Sequence, residues 1–143
     1  MIKVGIVGLG AMGRHHARLY SQLDCELVGV ADINPERAKE IGEKYGPFDF
    51  AMLECGQYNE RWKEIHMMPE QTAQAGVDIQ AKVIMPIHWA AFSLAMHSWT
   101  DPVERVLKKA EELKLPVLVP KIGSFIQMDG KLQTREKWWV EPK

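Results

Sequence analysis

The sequence predicts an α/β protein: a single doubly wound domain with five mostly parallel strands and helices on both faces. Two observations predict this class. Apolar runs of strand length alternate along the 143 residues with segments whose apolar residues recur at helical spacing. The strand runs are apolar throughout, which is typical of strands buried on both faces of a parallel sheet.

The first predicted strand, at residues 2–7, ends in a glycine-rich turn. Gly8, Gly10 and Gly13 have the spacing Gly-x-Gly-x-x-Gly, and a helical pattern follows at once. One glycine would allow the tight turn, one the approach of a pyrophosphate, and one the close packing of helix and strand. The helix N-terminus would add free N–H groups and about half a positive charge. The turn predicts a dinucleotide-binding βαβ unit; the alternative is a glycine-rich turn without a ligand.

The second predicted strand, at residues 26–31, ends in Asp32. This carboxylate lies about 20 residues beyond the glycines, where an acidic side chain binds the ribose hydroxyls of a dinucleotide. The candidate cofactor-binding residues are therefore Gly8, Gly10, Gly13 and Asp32. A helix is predicted to begin at Asn34-Pro35, an N-cap with proline at the first helical position, and to end at Gly46-Pro47.

Residues 1–46 resemble the amino-terminal, Rossmann-type cofactor domain of the Gfo/Idh/MocA oxidoreductases. The first strand, the glycines, His16 and the run at residues 30–38 carry the resemblance. It implies a relationship to NAD(P)-dependent enzymes that act mostly on sugars. Asp32, without an adjacent arginine, favours NAD over NADP. The resemblance stops at Pro47, because neither the Glu-Lys-Pro catalytic segment nor the substrate domain of that family follows.

The remainder of the chain continues the alternation of strands and helices. Three further strands are predicted at residues 49–56, 82–89 and 116–119, with a short helix after His66-Met67-Met68-Pro69. Asp101-Pro102-Val103-Glu104 predicts a capping box that begins a longer helix. That helix carries an apolar stripe of Val103, Val106, Leu107, Ala110 and Leu113.

The carboxy-terminal region is predicted to add a hairpin and a docked tail. Asp129-Gly130 lies between short alternating segments, which favours a tight hairpin. Trp138 and Trp139 lie among charged residues, and we expect them to dock on the body of the protein. For the five strands, the flavodoxin-like order 2-1-3-4-5 is favoured over the Rossmann order 3-2-1-4-5.

Residues 48 to about 125 resemble the carboxy-terminal part of the metallo-β-lactamase-fold hydrolases. The nearest branch contains N-acyl-phosphatidylethanolamine phospholipase D and its bacterial relatives. The residues that carry the resemblance are Phe50-Ala51-Met52-Leu53, Gly56, Arg61-Trp62, His66-Met67, Pro69-Glu70, Gln74-Ala75, Pro86-Ile87-His88-Trp89, Phe92 and Asp101-Pro102-Val103-Glu104-Arg105. One departure is Ala90-Ala91, where the family has Gly-Thr.

By this resemblance, His88 occupies a zinc-ligand position and His66 is a pocket histidine. A catalytic zinc site needs three protein ligands and an open position. The family supplies most of them from an HxHxDH segment that this sequence lacks, and residues 1–46 offer only His15 and His16. We therefore expect no catalytic residues and no metal site, with His88 as a vestigial ligand position. Whether His66 or His97 approaches His88 stays open.

Each part of the chain thus lacks the partner with which it would perform chemistry. We expect an engineered chimera of residues 1–143, one domain joined near residues 46–48 from a Rossmann-derived segment (1–46) and a metallo-β-lactamase-fold segment (48–143). It would have no evolved activity, require no cofactor and bind NAD weakly at most. The alternatives are a natural NAD-binding module or truncated oxidoreductase, and a zinc hydrolase completed by oligomerisation.

Composition restricts the remaining partners. The chain has 18 basic and 19 acidic residues, so no basic field favours nucleic acid or an anionic membrane. Cys25 and Cys55 do not have the spacing of metal-binding cysteines, and we expect them to be reduced thiols. This favours a cytoplasmic location, as in recombinant expression. The start does not resemble a signal peptide, and no apolar run approaches the roughly 18 residues of a membrane span. A dinucleotide is the one predicted small-molecule partner.

Overall fold

The computed structural model describes residues 2–7, 11–31, 43, 47–92, 94–126 and 136–140. Their regular elements follow one another as strands and helices. The strands are β1 (Ile2–Val7), β2 (Cys25–Ala31), β3 (Ala51–Glu54) and β4 (Ile84–Ile87). The helices are α1 (Ala11–Tyr20), α2 (Pro69–Asp78) and α3 (Asp101–Glu112), and a 3₁₀ turn spans Glu60–Trp62.

The first part of the chain forms the predicted strand–helix–strand unit. β1 and β2 pair in parallel, with Val7 opposite Ala31 at their carboxyl ends and a register shift between Val4 and Gly5. Parallel neighbours require a crossover, which α1 supplies. Of the helix predicted from Asn34-Pro35, only residue 43 is among the described residues, and it is helical.

The second part is organised around β4. This strand pairs in parallel with β3, and Ile84 forms an isolated parallel bridge to Val117 on its other side. The predicted strand at residues 116–119 is reduced to this bridge. Pro116 is the first residue of this predicted strand and Pro120 follows its last residue, and a proline has no N–H to continue a ladder.

The core lies between this small sheet and the helices α2 and α3. Leu53 and Ile84 from the strands are 1% and 0% exposed, and Val106 of α3 is 0% exposed. The predicted apolar stripe is confirmed, since Val103, Val106 and Ala110 are buried and Leu107 and Leu113 pack against the core. Their spacing places them on one helix face, as an amphipathic helix against a sheet requires.

The α/β class with parallel strands is confirmed, but a continuous five-stranded sheet is not present among the described residues. They form two sheets of two strands each, β1–β2 and β3–β4. β1 and β3 lie near each other without forming a ladder. Both five-strand orders therefore stay predictions. The hairpin at Asp129-Gly130 lies outside the described residues.

The start of α3 differs from the sequence prediction. Thr100 is the N-cap and Asp101 lies inside the first turn, so the predicted capping box is wrong. The Asp101 carboxylate instead accepts a hydrogen bond from the Tyr58 hydroxyl and lies 3.5 Å from Nη1 of Arg105. A hydrogen bond from Tyr58, on a loop distant in sequence, thus takes the place of the expected capping contact within residues 101–104.

The tail behaves as the sequence predicts. Trp139 is 4% exposed, and its indole N–H donates to Glu104 on α3. The indole N–H of Trp138 donates to the carbonyl of Val119. Across the ranges that the structure describes, no helix is long and apolar enough to span a lipid bilayer.

Replacement of Ile84 by alanine tests the role of β4 in the core. Ile84 is 0% exposed, and truncation of such a side chain leaves a cavity between the sheet and α2. We expect Ile84→Ala to lower the free energy of unfolding by about 2–5 kcal/mol in urea denaturation.

Met52→Ala is the matched control, since Met52 on β3 is 42% exposed. Its effect is expected to stay within about 0.5 kcal/mol. Equal destabilisation by the two variants would contradict the described core.

Candidate functional site

The candidate site lies at the carboxyl ends of β3 and β4. Glu54 is the last residue of β3 and stands opposite Ile87, the last residue of β4. The N–H of Cys55 continues the ladder by donating to the Ile87 carbonyl at 3.1 Å. Glu54 and His88 are therefore brought together at the edge of a parallel sheet where α/β proteins bind their ligands.

A loop between the 3₁₀ turn and α2 adds a second imidazole. The ring of His66 stacks on the ring of His88, with 5.2 Å between centroids and 29° between planes. Nδ1 of His66 lies 3.5 Å from Oε2 of Glu54. These three side chains are called the Glu54–His66–His88 cluster below.

Glu54 also fixes the loop that carries His66. Its Oε1 accepts a hydrogen bond of 2.6 Å from the N–H of Met67, and its carbonyl accepts one of 2.7 Å from the Thr72 hydroxyl on α2. One residue at the end of β3 thus holds both the loop and the first turns of the helix. The His66 ring is positioned as a consequence.

The backbones of Gly56 and His88 approach each other very closely at this edge of the sheet. A Cβ atom added at Gly56 would lie 2.0 Å from the carbonyl oxygen of His88, which is far inside van der Waals contact. Only glycine fits there. His88 itself has a φ of 66°, in the left-handed region that non-glycine residues seldom adopt. The chain therefore turns sharply at the end of β4, and the imidazole of His88 lies on the exposed side of that turn.

Burial shifts the protonation of two members of the cluster. It raises the pKa of Glu54 above its usual range, although the Met67 N–H and the charge of His88 act in the opposite direction. Burial also lowers the pKa of His66, because desolvation disfavours the charged imidazolium. Oε2 of Glu54 is buried without a hydrogen-bond partner among the described residues. The pair therefore favours a neutral imidazole beside a carboxyl group that retains its proton to higher pH than usual.

The donor side chains that the structure describes do not form a zinc shell. No group of three or more His, Cys, Asp or Glu side chains in the described part of the chain is placed to hold a metal ion. Two imidazoles that share a zinc converge on it through their nitrogens at about 2.0–2.1 Å. In contrast, His66 and His88 face each other ring to ring.

The histidines that the sequence left open are separated by the structure. His66 approaches His88, whereas His97 stacks on Tyr58 with 4.1 Å between ring centroids. The sequence analysis missed Glu54, because a glutamate in a short strand is typical of a solvent-facing position. Only the position of Glu54 at the end of one strand, beside the end of another, could have indicated a role in the site.

A second polar network connects α2, α3 and the loop after β3. Arg105 of α3 donates to both carboxylate oxygens of Glu70 on α2, at 2.8 and 2.7 Å, and its guanidinium lies 4.9 Å from the ring centre of Tyr58. Burial and the hydrogen bond to Asp101 raise the pKa of the Tyr58 hydroxyl. This network joins α2, α3 and the loop after β3, and we assign it a structural role.

The predicted cofactor residues are only partly located. Gly13 lies inside α1, whereas Gly8, Gly10 and Asp32 lie outside the described residues. Gly8 and Asp32 directly follow the ends of β1 and β2 in the sequence, and Val7 and Ala31 at these ends are partners in the ladder. Their role in dinucleotide binding stays a prediction.

Comparisons with known proteins bear on the origin of the chain. Residues 26–89 match the family model described as beta-lactamase superfamily domain. Protein Rv0906 of Mycobacterium tuberculosis is 39% identical over 103 residues, which are 70% of this chain and 27% of the relative. N-acyl-phosphatidylethanolamine-hydrolyzing phospholipase D 1 of Caenorhabditis elegans is 30% identical over 82 residues, 53% of this chain and 23% of the relative. The chain thus spans about a quarter of the length of these relatives.

A shorter match concerns the other resemblance. Inositol 2-dehydrogenase of Pseudomonas fluorescens is 45% identical over 42 residues, which are 28% of this chain and 12% of the relative. This match is weak and covers a small part of both proteins. It does not establish that two families were joined in one chain.

These relatives correct the expectation of an engineered chimera without evolved activity. That expectation is wrong, because the chain has natural relatives, including a mycobacterial protein at 39% identity and phospholipase D hydrolases. It had rested on ligand residues that the sequence lacks, and this absence does not distinguish a designed protein from a natural one. The comparisons therefore support the relationship to the metallo-β-lactamase-fold hydrolases.

Proposed function

We propose that this chain is part of a hydrolase of the beta-lactamase superfamily that cleaves phosphodiesters at the Glu54–His66–His88 cluster. The observation that carries the proposal is the convergence of these three side chains at the carboxyl edge of β3 and β4. The substrate class follows from relatives named as phospholipases D that hydrolyse N-acyl-phosphatidylethanolamine. Such enzymes cleave a phosphodiester bond.

Hydrolysis requires a group that accepts a proton from the attacking water and returns one to the leaving oxygen. His66 suits this role because burial keeps its imidazole neutral. Its Nδ1 lies 3.5 Å from Oε2 of Glu54, and we assign Nε2 as the proton acceptor.

In the proposed reaction, water attacks phosphorus and transfers a proton to His66 Nε2. The bond between phosphorus and the leaving oxygen breaks, and His66 returns the proton to that oxygen. His88, exposed at the turn after β4, would bind a non-bridging phosphate oxygen. No step is assigned to a metal ion, since the described donors do not form a shell for one.

The hydrolysis of bis(p-nitrophenyl) phosphate tests this assignment. We expect His66→Ala to lower kcat by about 10²–10⁴-fold, the usual contribution of a general base. His88→Ala is expected to raise KM, because a phosphate contact is lost. Release of p-nitrophenolate measures both.

His15→Ala is the control, since His15 is exposed on α1, and it should retain wild-type rates. If the unaltered chain is no faster than the double variant of His66 and His88, the proposed activity is wrong.

Glu54→Gln tests the protonation of the cluster. Because the pKa of Glu54 is raised in the folded state, its contribution to stability is present below pH 4.5 and is lost as the pH rises through the folded value. The glutamine variant keeps the Oε1 acceptor for Met67 and cannot ionise. We expect the variant to gain stability relative to the unaltered chain as the pH increases from 4.5 towards 7.

Urea denaturation at several pH values measures this difference. Glu112→Gln serves as the control, because Glu112 is exposed at the end of α3 and its pKa is lowered by Lys109. A stability difference for Glu54→Gln that does not change with pH would contradict the raised pKa.

The parallel unit β1–α1–β2 favours a second candidate function, weak NAD binding. Its two strand ends lie side by side, with Val7 opposite Ala31. Gly8 and Asp32 follow these ends directly in the sequence. Such a unit supplies contacts to the adenosine half of a dinucleotide and leaves the nicotinamide half without the remainder of an oxidoreductase.

An isothermal titration with NAD tests this candidate. Half of the usual contacts should give a dissociation constant of about 0.1 mM or weaker. Gly10→Val and Asp32→Ala should each abolish the heat of binding. A low-micromolar constant with selectivity over AMP would show a complete pocket and contradict weak binding.

A further inference from the structure

The carboxy-terminal tail is joined to the body by polar contacts at each of three consecutive residues. Nζ of Lys137 lies 2.8 Å from Oε2 of Glu104 on α3. The Trp139 indole N–H donates to Oε1 of the same carboxylate at 2.8 Å, and that of Trp138 donates to the Val119 carbonyl at 3.2 Å. We call residues 137–139 the aromatic clasp.

The aromatic clasp packs on Trp89, the residue that follows His88. The ring of Trp138 stacks on Trp89 with 5.5 Å between centroids, and Trp139 meets the same ring edge-on at 5.7 Å. The ring of Trp99 is also stacked with that of Trp89, with 6.5 Å between centroids. Three indoles therefore surround the side chain next to His88.

Trp89 in turn fixes the turn that carries His88. Its indole N–H donates to the carbonyl of Pro86 in β4 at 3.0 Å, which closes the segment from 86 to 89. Within that segment His88 has a φ of 66°, a conformation that persists only where its surroundings enforce it. The side chain of His88 is itself exposed, so packing of that side chain alone does not enforce it. The contacts of Trp89 enforce this conformation.

We propose that Trp89, Trp138 and Trp139 are positioning residues that hold the His88 imidazole against His66 by fixing the turn after β4. The reference to catalysis rests on the proposed hydrolase function, whereas the geometry can be tested without it. Loss of the aromatic clasp should let the turn relax from its left-handed conformation. The ring stack between His66 and His88 would then be lost while the sheet stays formed.

Trp138→Ala removes the stacked ring, and Trp138→Phe keeps an aromatic face in its place. Proton nuclear Overhauser effects between the rings of His66 and His88 measure the stack directly. We expect Trp138→Ala to reduce these effects at least fivefold and Trp138→Phe to restore them. The amide signals of β3 and β4 should be retained in both variants.

Two further variants complete the test. Trp62→Ala is the matched control, because it removes an indole that donates to the Gln57 carbonyl and is not part of the aromatic clasp. Glu104→Ala releases Lys137 and Trp139 without removing any indole, so it tests the same device if Trp138→Ala fails to fold. It should also reduce the ring effects at least fivefold.

Retention of the His66–His88 effects in both Trp138→Ala and Glu104→Ala would overturn the proposal. An equal loss in Trp62→Ala would also overturn it, since removal of any indole would then have the same effect. Where the unaltered chain hydrolyses bis(p-nitrophenyl) phosphate, Trp138→Ala should lower kcat/KM at least tenfold. Absence of hydrolysis in the unaltered chain would contradict the proposed function and leave the nuclear Overhauser test of the aromatic clasp decisive.

Discussion

The close backbone contact between Gly56 and His88 is the constraint on which the site depends. A Cβ at position 56 would lie 2.0 Å from the His88 carbonyl oxygen, so the two strand ends can meet only if one of them carries glycine. The residue that makes this contact, His88, has a positive φ at the turn after β4. The next residue, Trp89, stacks on Trp138 of the tail. The cluster and the docked tail thus meet at the same turn.

The electrostatics of the cluster follow from burial rather than from charge pairing. Desolvation raises the pKa of Glu54 and lowers that of His66, so both groups favour their neutral forms. A fully formed ion pair would have shifted the two pKa values in the opposite directions. The distance of 3.5 Å between His66 Nδ1 and Glu54 Oε2 agrees with a polar contact that orients the ring. Opposed shifts in neighbouring titratable groups are typical of acid–base sites.

Local patterns in the sequence predicted the elements, while contacts between distant residues escaped them. The stripe of Val103, Val106 and Ala110 could be read from helical spacing, because burial of one helix face needs only that period. The hydrogen bond from Tyr58 to Asp101 joins residues 43 positions apart, and it displaced a capping box that spacing alone had favoured. His88 was found through a family resemblance, but Glu54 required knowledge of which strand ends meet. The periodicity of apolar residues therefore predicts which face of a helix is buried. The site, in contrast, depends on how β3 and β4 pair, which periodicity does not give.

The docked tail shows why the completeness of a site cannot be judged from ligand residues alone. An incomplete set of metal ligands had suggested a chain without evolved function, yet His88 is supported by residues about 50 positions further along the sequence. Trp139 is 4% exposed and shares the Glu104 carboxylate with Lys137. The same indole packs against Trp89, next to the left-handed turn. A functional side chain is held in place by neighbours whose own rotamers are locked by packing and hydrogen bonds, and the contacts of Trp89 with Trp138 and Trp139 next to His88 form such an arrangement.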